Sequence, residues 1–293
     1  MKIVLFGAGG QLGRTFNDIA NSRVIHLSAY TRSEVDITNE NAVLSVLQKE
    51  QPDYVVNAAA YTAVDNAETD QAAAYGVNEI GVKNIALACK KNNATLIHVS
   101  TDYVFDGEKS HAYKEDDKSK PINVYGLSKW QGEEAVRHIL DQHIILRVSW
   151  VFGFYGNNFV KTMLKLGKER EALNIVSDQL GCPTSTEHIS EVILAIIDHL
   201  QTKESKPYGT YHYSDSPVTN WHSFAKKIFS EAEKYQPLKI KQINAIGTAD
   251  YPTPAKRPMN SQMNCGRIKS EFDIEQRSWE QSLEKIVKEL NKS

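Results

Sequence analysis

The chain has 293 residues, 41% of them hydrophobic and 24% charged, with a formal net charge of −2. That length exceeds one compact core and predicts a large α/β unit with a smaller lobe and a cleft between them, while the balanced charge excludes a broad attraction to nucleic acid or to an anionic membrane. Cys89, Cys182 and Cys265 are too scattered for a disulfide framework or a zinc knuckle, and no apolar run approaches the roughly 20 residues that span a bilayer, so a cytoplasmic protein is expected.

The apolar opening at 2–6 is too short for a signal-peptide core and predicts a buried strand. A glycine turn and a helix over 11–20 follow, with Leu12, Phe16 and Ile19 on one face. Strands at 24–27, 54–57, 96–100 and 144–148 alternate with helices near 40–50, 72–92 and 124–139. This alternation predicts a Rossmann-like, doubly wound parallel sheet, so 1–150 is read as the dinucleotide-binding domain. Beyond Trp150 the chain runs through glycine-, asparagine- and proline-rich loops. They predict a smaller α+β substrate-binding lobe over 151–293, with segments at 189–200 and 207–213 packing back on the first domain.

Gly7-Ala8-Gly9-Gly10-Gln11-Leu12-Gly13 stands at the first strand–helix junction. There a glycine turn lets backbone approach a pyrophosphate lying on a helix N-terminus. A tight turn without a ligand is the alternative for such glycines in isolation, and their placement argues for the dinucleotide. The second strand runs into Leu27-Ser28-Ala29-Tyr30-Thr31-Arg32, with no acid before Glu34, where an NAD site usually has one for the ribose hydroxyls. Arg32, with Arg14 as a second candidate, could face a 2′-phosphate, so NADPH is expected ahead of NADH.

Tyr125 and Lys129 are four apart on a predicted helix and share a face. A phenol with an ordinary pKa of about 10 exchanges protons near neutrality only with help from a neighbouring ammonium, which Lys129 would provide. Tyr235 and Lys239 have the same spacing, but Pro237 interrupts them. Residues 124–138 contain no proline and follow the strand ending Val99-Ser100-Thr101-Asp102. Thr101 would hydrogen-bond the reacting oxygen; capping of the next turn is the other reading of Thr101 and Asp102. Together these residues predict hydride-coupled reduction of a carbonyl.

Val56-Asn57-Ala58-Ala59-Ala60-Tyr61-Thr62-Ala63-Val64-Asp65, Ser100-Thr101-Asp102-Tyr103-Val104-Phe105 and Val124-Tyr125-Gly126-Leu127-Ser128-Lys129 resemble the extended short-chain dehydrogenase/reductases. Arg147-Val148-Ser149-Trp150-Val151-Phe152, Asn158-Phe159-Val160-Lys161-Thr162-Met163, Asp178-Gln179-Leu180-Gly181-Cys182-Pro183-Thr184 and Arg257-Pro258-Met259-Asn260-Ser261 carry the resemblance nearly to the end of the chain. It implies NAD(P)H-dependent reduction of a dTDP-linked 4-keto-6-deoxy sugar, on the route to dTDP-L-rhamnose. It makes Tyr125 the proton donor, Lys129 the holder of the nicotinamide ribose and Thr101 the ligand of the substrate oxygen. Gly7, Gly10, Gln11, Leu12, Gly13, Arg32, Asp36, Ile37, Ala60, Tyr61 and Thr62 would line the cofactor. Asp102, Tyr103, Trp150, Asn158 and Arg257 would touch the substrate. Asp36 could also serve as a helix N-terminal acid, and Trp150 could simply fill core.

Some relatives hold magnesium at a dimer interface through acids, one of them two positions after the third turn glycine. That position is Thr15 here, while Glu187 matches another, so no required metal is expected. A monomer or a homodimer both remain open. Among rivals, a sugar-nucleotide 4,6-dehydratase would resemble Thr-Asp-Glu where this chain has Thr101-Asp102-Tyr103. An epimerase would return its hydride. A non-catalytic regulatory subunit on the same fold would have no use for a complete Thr101, Tyr125 and Lys129 set.

Overall fold

The computed structural model describes residues 1–23 and 25–292. Five short strands rich in branched apolar residues, β1 (Lys2–Phe6), β2 (His26–Tyr30), β3 (Tyr54–Asn57), β4 (Thr95–Thr101) and β5 (His143–Val148), join Gly209–His212 in one sheet. All pairs are parallel, in the order β2, β1, β3, β4, β5 and Gly209–His212. Every residue of β3 and β5 is buried, as strands covered by helices on both faces must be. The fold is thus the expected doubly wound α/β sheet. The strand read at 24–27 starts at His26; Val24 lies outside the described residues.

One face of the sheet is covered by helices Gln11–Ser22 and Thr186–Thr202, whose Leu12, Phe16, Ile189, Ile193 and Ile197 pack on Leu5, Ile97, Ile144 and Leu146. Thr186–Thr202 is apolar around most of its circumference, which suits a helix held between other elements. Glu40–Glu50 and Val82–Asn92 cover the other face, setting Val43, Leu47, Val82 and Ile85 against Val4, Phe6 and Val55. Past Trp150, helices Phe159–Glu169, Trp221–Ala232 and Trp279–Leu290 enclose a separate apolar cluster around Phe152, Phe224, Ile228 and Trp279. Beside it Ala172–Val176 pairs in parallel with Gln242–Ile246.

Asparagines start four of the helices. Asn39, Asn123, Asn158 and Asn220 each accept a backbone N–H from the first turn that follows, an interaction typically contributing about 1 kcal/mol. The segment at 72–92, read as one helix, is divided into Gln71–Tyr75, a π-helical stretch Gly76–Gly81 and Val82–Asn92. The wider turn carries the wholly buried Asn78. Its Oδ1 accepts from the Tyr61 N–H at 2.9 Å, and its Nδ2 donates to the Tyr61 carbonyl and to Ser128 Oγ. The loop after β3 is thereby tied to the helix Val124–Ile139.

Candidate functional site

Since β2 flanks β1 on one side and β3 on the other, the chain segments leaving β1 and β3 diverge at their carboxyl ends and open a crevice. A cavity of about 360 Å³ lies there, bordered by Gly7, Gly10, Arg32, Asp36, Ile37, Ala60, Tyr61 and Thr62. The turn that leads into it admits no side chain at Gly7 or Gly13. Gly7 has φ +86°, and a Cβ on it would stand 2.4 Å from the Ala59 nitrogen; one on Gly13 would stand 2.1 Å from the Gly7 carbonyl oxygen. Gly10, at the N-cap of Gln11–Ser22, offers no side-chain acceptor to the leading N–H groups. This arrangement suits a phosphate, so the crevice fits a dinucleotide.

The acids near β2 are already engaged. Glu34 accepts from the backbone N–H and the hydroxyl of Thr31 at 2.8 and 2.7 Å, bonds that lower its pKa. Asp36 accepts from the Thr38 N–H and hydroxyl, so it is a turn acid as well as a wall of the crevice. Gln11 and Leu12 do not border the cavity. Leu12 is in the core, and Gln11 Nε2 reaches the Val151 carbonyl at 3.5 Å.

Tyr125 sits in the first turn of Val124–Ile139 and Lys129 one turn later, both buried. The Tyr125 ring meets Tyr103 edge-on at 5.4 Å and shares an apolar cluster with Tyr61, Ala67 and Ala74; Tyr61 borders the crevice and Tyr103 a second, larger cleft. Burial pushes its phenol up to about 12; the Thr101 hydroxyl pulls it down and Asp102 pushes it further up. Lys129 Nζ donates to the Val99 carbonyl at 2.7 Å and lies 3.5 Å from His98 Nε2. Its amine is therefore aimed at β4, and burial brings its pKa down to about 8, with Glu133 opposing.

Thr101 ends β4 and caps the short 3-10 turn Asp102–Val104. Its Oγ1 accepts from the Tyr103 N–H and donates to Asp102 Oδ1 at 2.9 Å, so its capping role accompanies its place beside Tyr125. Burial raises the Asp102 carboxyl to about 6 despite bonds from Ser261 and Thr101, and Asp102 Oδ2 has no hydrogen-bond partner.

The larger cleft, of about 980 Å³, opens between Tyr103 and the apolar cluster around Phe152 and Phe224. Arg257 borders it, donating one Nη2–H to Asp65 Oδ2 at 2.8 Å, while its buried Nη1 has no partner. An unsatisfied guanidinium nitrogen in such a cleft is a ready anion donor. Trp150 reaches the cleft through Trp221, on which it stacks at 3.6 Å and 9°. Asn158 does not border it: its side chain caps Phe159–Glu169 and donates to the Gly153 carbonyl.

Asp65, Gln179, Trp221 and Tyr251 at the cleft, and Asn57 and His98 behind Lys129, were not singled out from the sequence. Asp65 and Gln179 lie inside the matched stretches, so the resemblance was a usable signal for them. Trp221, at the start of the helix Trp221–Ala232, and Tyr251, in a later loop, are far along the chain from the other site residues and carry no spacing that marks them.

Comparison with known proteins agrees with this geometry. The family model described as RmlD substrate binding domain matches residues 1–292. The dTDP-4-dehydrorhamnose reductase of Aggregatibacter actinomycetemcomitans is 45% identical over 288 residues, covering 97% of this chain and 98% of its own. That of Salmonella typhimurium is 38% identical over 99% of this chain and 98% of its own. The crystal structure of the Bacillus anthracis dTDP-4-dehydrorhamnose reductase in complex with NADP superposes with a TM-score of 0.91 at 37% identity, covering 99% of this chain and 100% of that one. A UDP-glucose 4-epimerase from Thermus thermophilus, 15% identical with a TM-score of 0.79, shares the fold. By the extent and the evenness of these matches, the chain belongs to the RmlD substrate binding domain family, that of the dTDP-4-dehydrorhamnose reductases.

Proposed function

We propose that the chain reduces the 4-keto group of dTDP-4-dehydro-β-L-rhamnose to yield dTDP-L-rhamnose. The observation that carries this reading is the position of Tyr125. Its buried phenol stands in one cluster with Tyr61, on the wall of the dinucleotide crevice, and Tyr103, on the wall of the larger cleft. The relatives' names supply the substrate class.

The nicotinamide dinucleotide supplies the hydride. Tyr125, held in its acid form by burial, gives its proton to the carbonyl oxygen as negative charge develops there. Thr101 turns its hydroxyl from Asp102 toward the same oxygen. Lys129 holds the nicotinamide ribose, and once charged it stabilises the phenolate that Tyr125 becomes. Arg257 meets the diphosphate through its unpartnered Nη1, and the Trp150–Trp221 stack walls the far side of the cleft.

NADPH is the preferred donor in this reading. Glu34 is turned into its own loop, and Arg32 at the crevice edge is the charge available to a 2′-phosphate; the NADP bound by the Bacillus anthracis relative accords with this. No required magnesium is expected in this reading, because Thr15 stands where such a site would need an acid, and Glu187 is paired with Lys285 at 2.6 Å. Residues 1–150 act as the dinucleotide-binding unit and 151–293 mainly as the substrate lobe, with Thr186–Thr202 and Gly209–His212 serving the former. Three buried free cysteines suit a reducing cytoplasm.

Incubation with NADPH and a dTDP-4-keto-6-deoxy sugar tests the proposal. Stoichiometric oxidation of NADPH with dTDP-L-rhamnose as product, identified by NMR, is expected. Interconversion of sugars without net oxidation would make the chain an epimerase. No turnover of any nucleotide-linked keto sugar would remove the catalytic reading.

A further inference from the structure

Behind Lys129 lies a polar pair that the reaction as described does not use. Asn57, the last residue of β3, and His98, in β4, are both wholly buried. Asn57 Oδ1 accepts the Ala59 N–H at 3.1 Å, which fixes the orientation of the side-chain amide. The Nδ2 group must then be the atom facing His98 Nδ1, at 3.1 Å. Since Nδ2 is only a donor, His98 Nδ1 must be an acceptor, and a neutral ring accepting at Nδ1 carries its proton on Nε2. Burial drives the His98 pKa well below its ordinary value, so the ring is neutral. The atom 3.5 Å from Lys129 Nζ is thus an N–H.

An ammonium brought against that N–H has no lone pair with which to receive it. An uncharged amine has one, and can still donate to the Val99 carbonyl at 2.7 Å. We propose that Asn57 and His98 are positioning residues that present an N–H to Lys129 and so favour its uncharged amine in the resting site, until the cofactor engages it and a proton is taken up. The inference rests on the assignment of Lys129 to the cofactor ribose.

The other groups around Lys129 fit. Tyr125 precedes it by one turn of the same helix, with Asp102 beyond the end of β4. Glu133, one turn further on, favours a charge on Lys129, but it is itself paired with Arg147 of β5 and Arg137 of its own helix. His143 of β5 is buried, and its pKa is lowered by burial. From the π-helical stretch the uncharged Asn78 bonds this helix at Ser128.

The test needs no substrate. In ¹⁵N NMR of the native chain, with His98 assigned through His98→Asn, the ring should be neutral and protonated on Nε2 on both sides of neutrality. A proton on Nδ1, or an imidazolium, overturns the proposal. Calorimetry of NADPH binding follows, in two buffers of unlike ionisation heat and at a pH more than one unit above the lowered Lys129 pKa of about 8. Uptake of about one proton is expected, and its absence also overturns the proposal. Asn57→Asp, whose carboxylate would draw the His98 proton to Nδ1 and turn the Nε2 lone pair toward Lys129, should largely abolish the uptake; unchanged uptake in a folded variant counts against the proposal. If NADPH fails to bind at all, the cofactor assignment falls, and the NMR result alone decides the state of the pair.

Discussion

Replacing Gly181 with alanine should loosen the substrate side of the site and leave the dinucleotide side intact. A Cβ at 181 would stand 2.4 Å from Cε2 and 2.7 Å from Nε1 of Trp150, where non-bonded carbons settle at about 3.5–4.0 Å. The indole has little room to retreat. Its other face stacks on Trp221 at 3.6 Å, and Trp221 is braced by Phe159 and by an Nε1–H bond to Gln179 Oε1. The Trp150 backbone is itself confined to φ +47°, a region rarely used by bulky residues. Overpacking of this kind costs about 1–3 kcal/mol. Expressed at the cleft wall, that lowers kcat/KM for the keto sugar by about 5- to 150-fold, mostly through KM. Steady-state kinetics at saturating NADPH, with the NADPH Kd from a separate titration, make the measurement. A loss of NADPH affinity as large as the loss in kcat/KM would refute the reasoning, as would native kinetics in a folded variant.

Tyr125→Phe should keep NADPH binding, because the ring contacts with Tyr103 and Ala74 remain, and lower kcat by about 10²–10⁴-fold; near-native turnover in a stopped-flow assay would exclude Tyr125 as the acid. Arg32→Ala should weaken NADPH more than NADH, and equal losses in paired titrations would take Arg32 out of the site. Glu133→Gln leaves Arg147, almost wholly buried, without its counter-charge and should destabilise the fold by about 3–5 kcal/mol in urea unfolding. Burial alone would raise the Glu133 carboxyl, but Arg147, Arg137 and Ser100 outweigh it and bring it down to about 2. A depressed acid stabilises the fold fully above its unfolded pKa of about 4.3, and that stability is lost as pH falls through the folded value. The native chain should therefore resist acid to a lower pH than Glu133→Gln; coincident acid-unfolding midpoints would contradict this.

Most sheet strands and the helix Val124–Ile139 could be read to within a residue, since apolar period and glycine turns are local properties of the chain, whereas the second strand, read at 24–27, begins at His26. Gln11–Ser22, Glu40–Glu50 and Val124–Ile139 start where the reading placed them. The π-helical stretch could not be read in the same way, because its cause is Asn78 reaching Tyr61 and Ser128, 17 residues before and 50 after it. Asn158 was read as a substrate contact from its matched stretch, yet its side chain caps a helix. A cap and a ligand contact draw on the same amide.

Sequence alone determined the chemistry on offer: a glycine turn at a β–α junction, and a tyrosine and a lysine one helical turn apart after a strand ending in threonine. Both depend only on residues near each other in the chain. Tertiary structure decided where those groups point. The Lys129 amine turns to the Val99 carbonyl and His98 because β4 passes directly behind the helix, and Arg257 keeps one nitrogen unpartnered because Asp65, 192 residues away, holds the other. A side chain's partners are set by what packing brings within hydrogen-bonding distance, and no local pattern records contacts made across such separations.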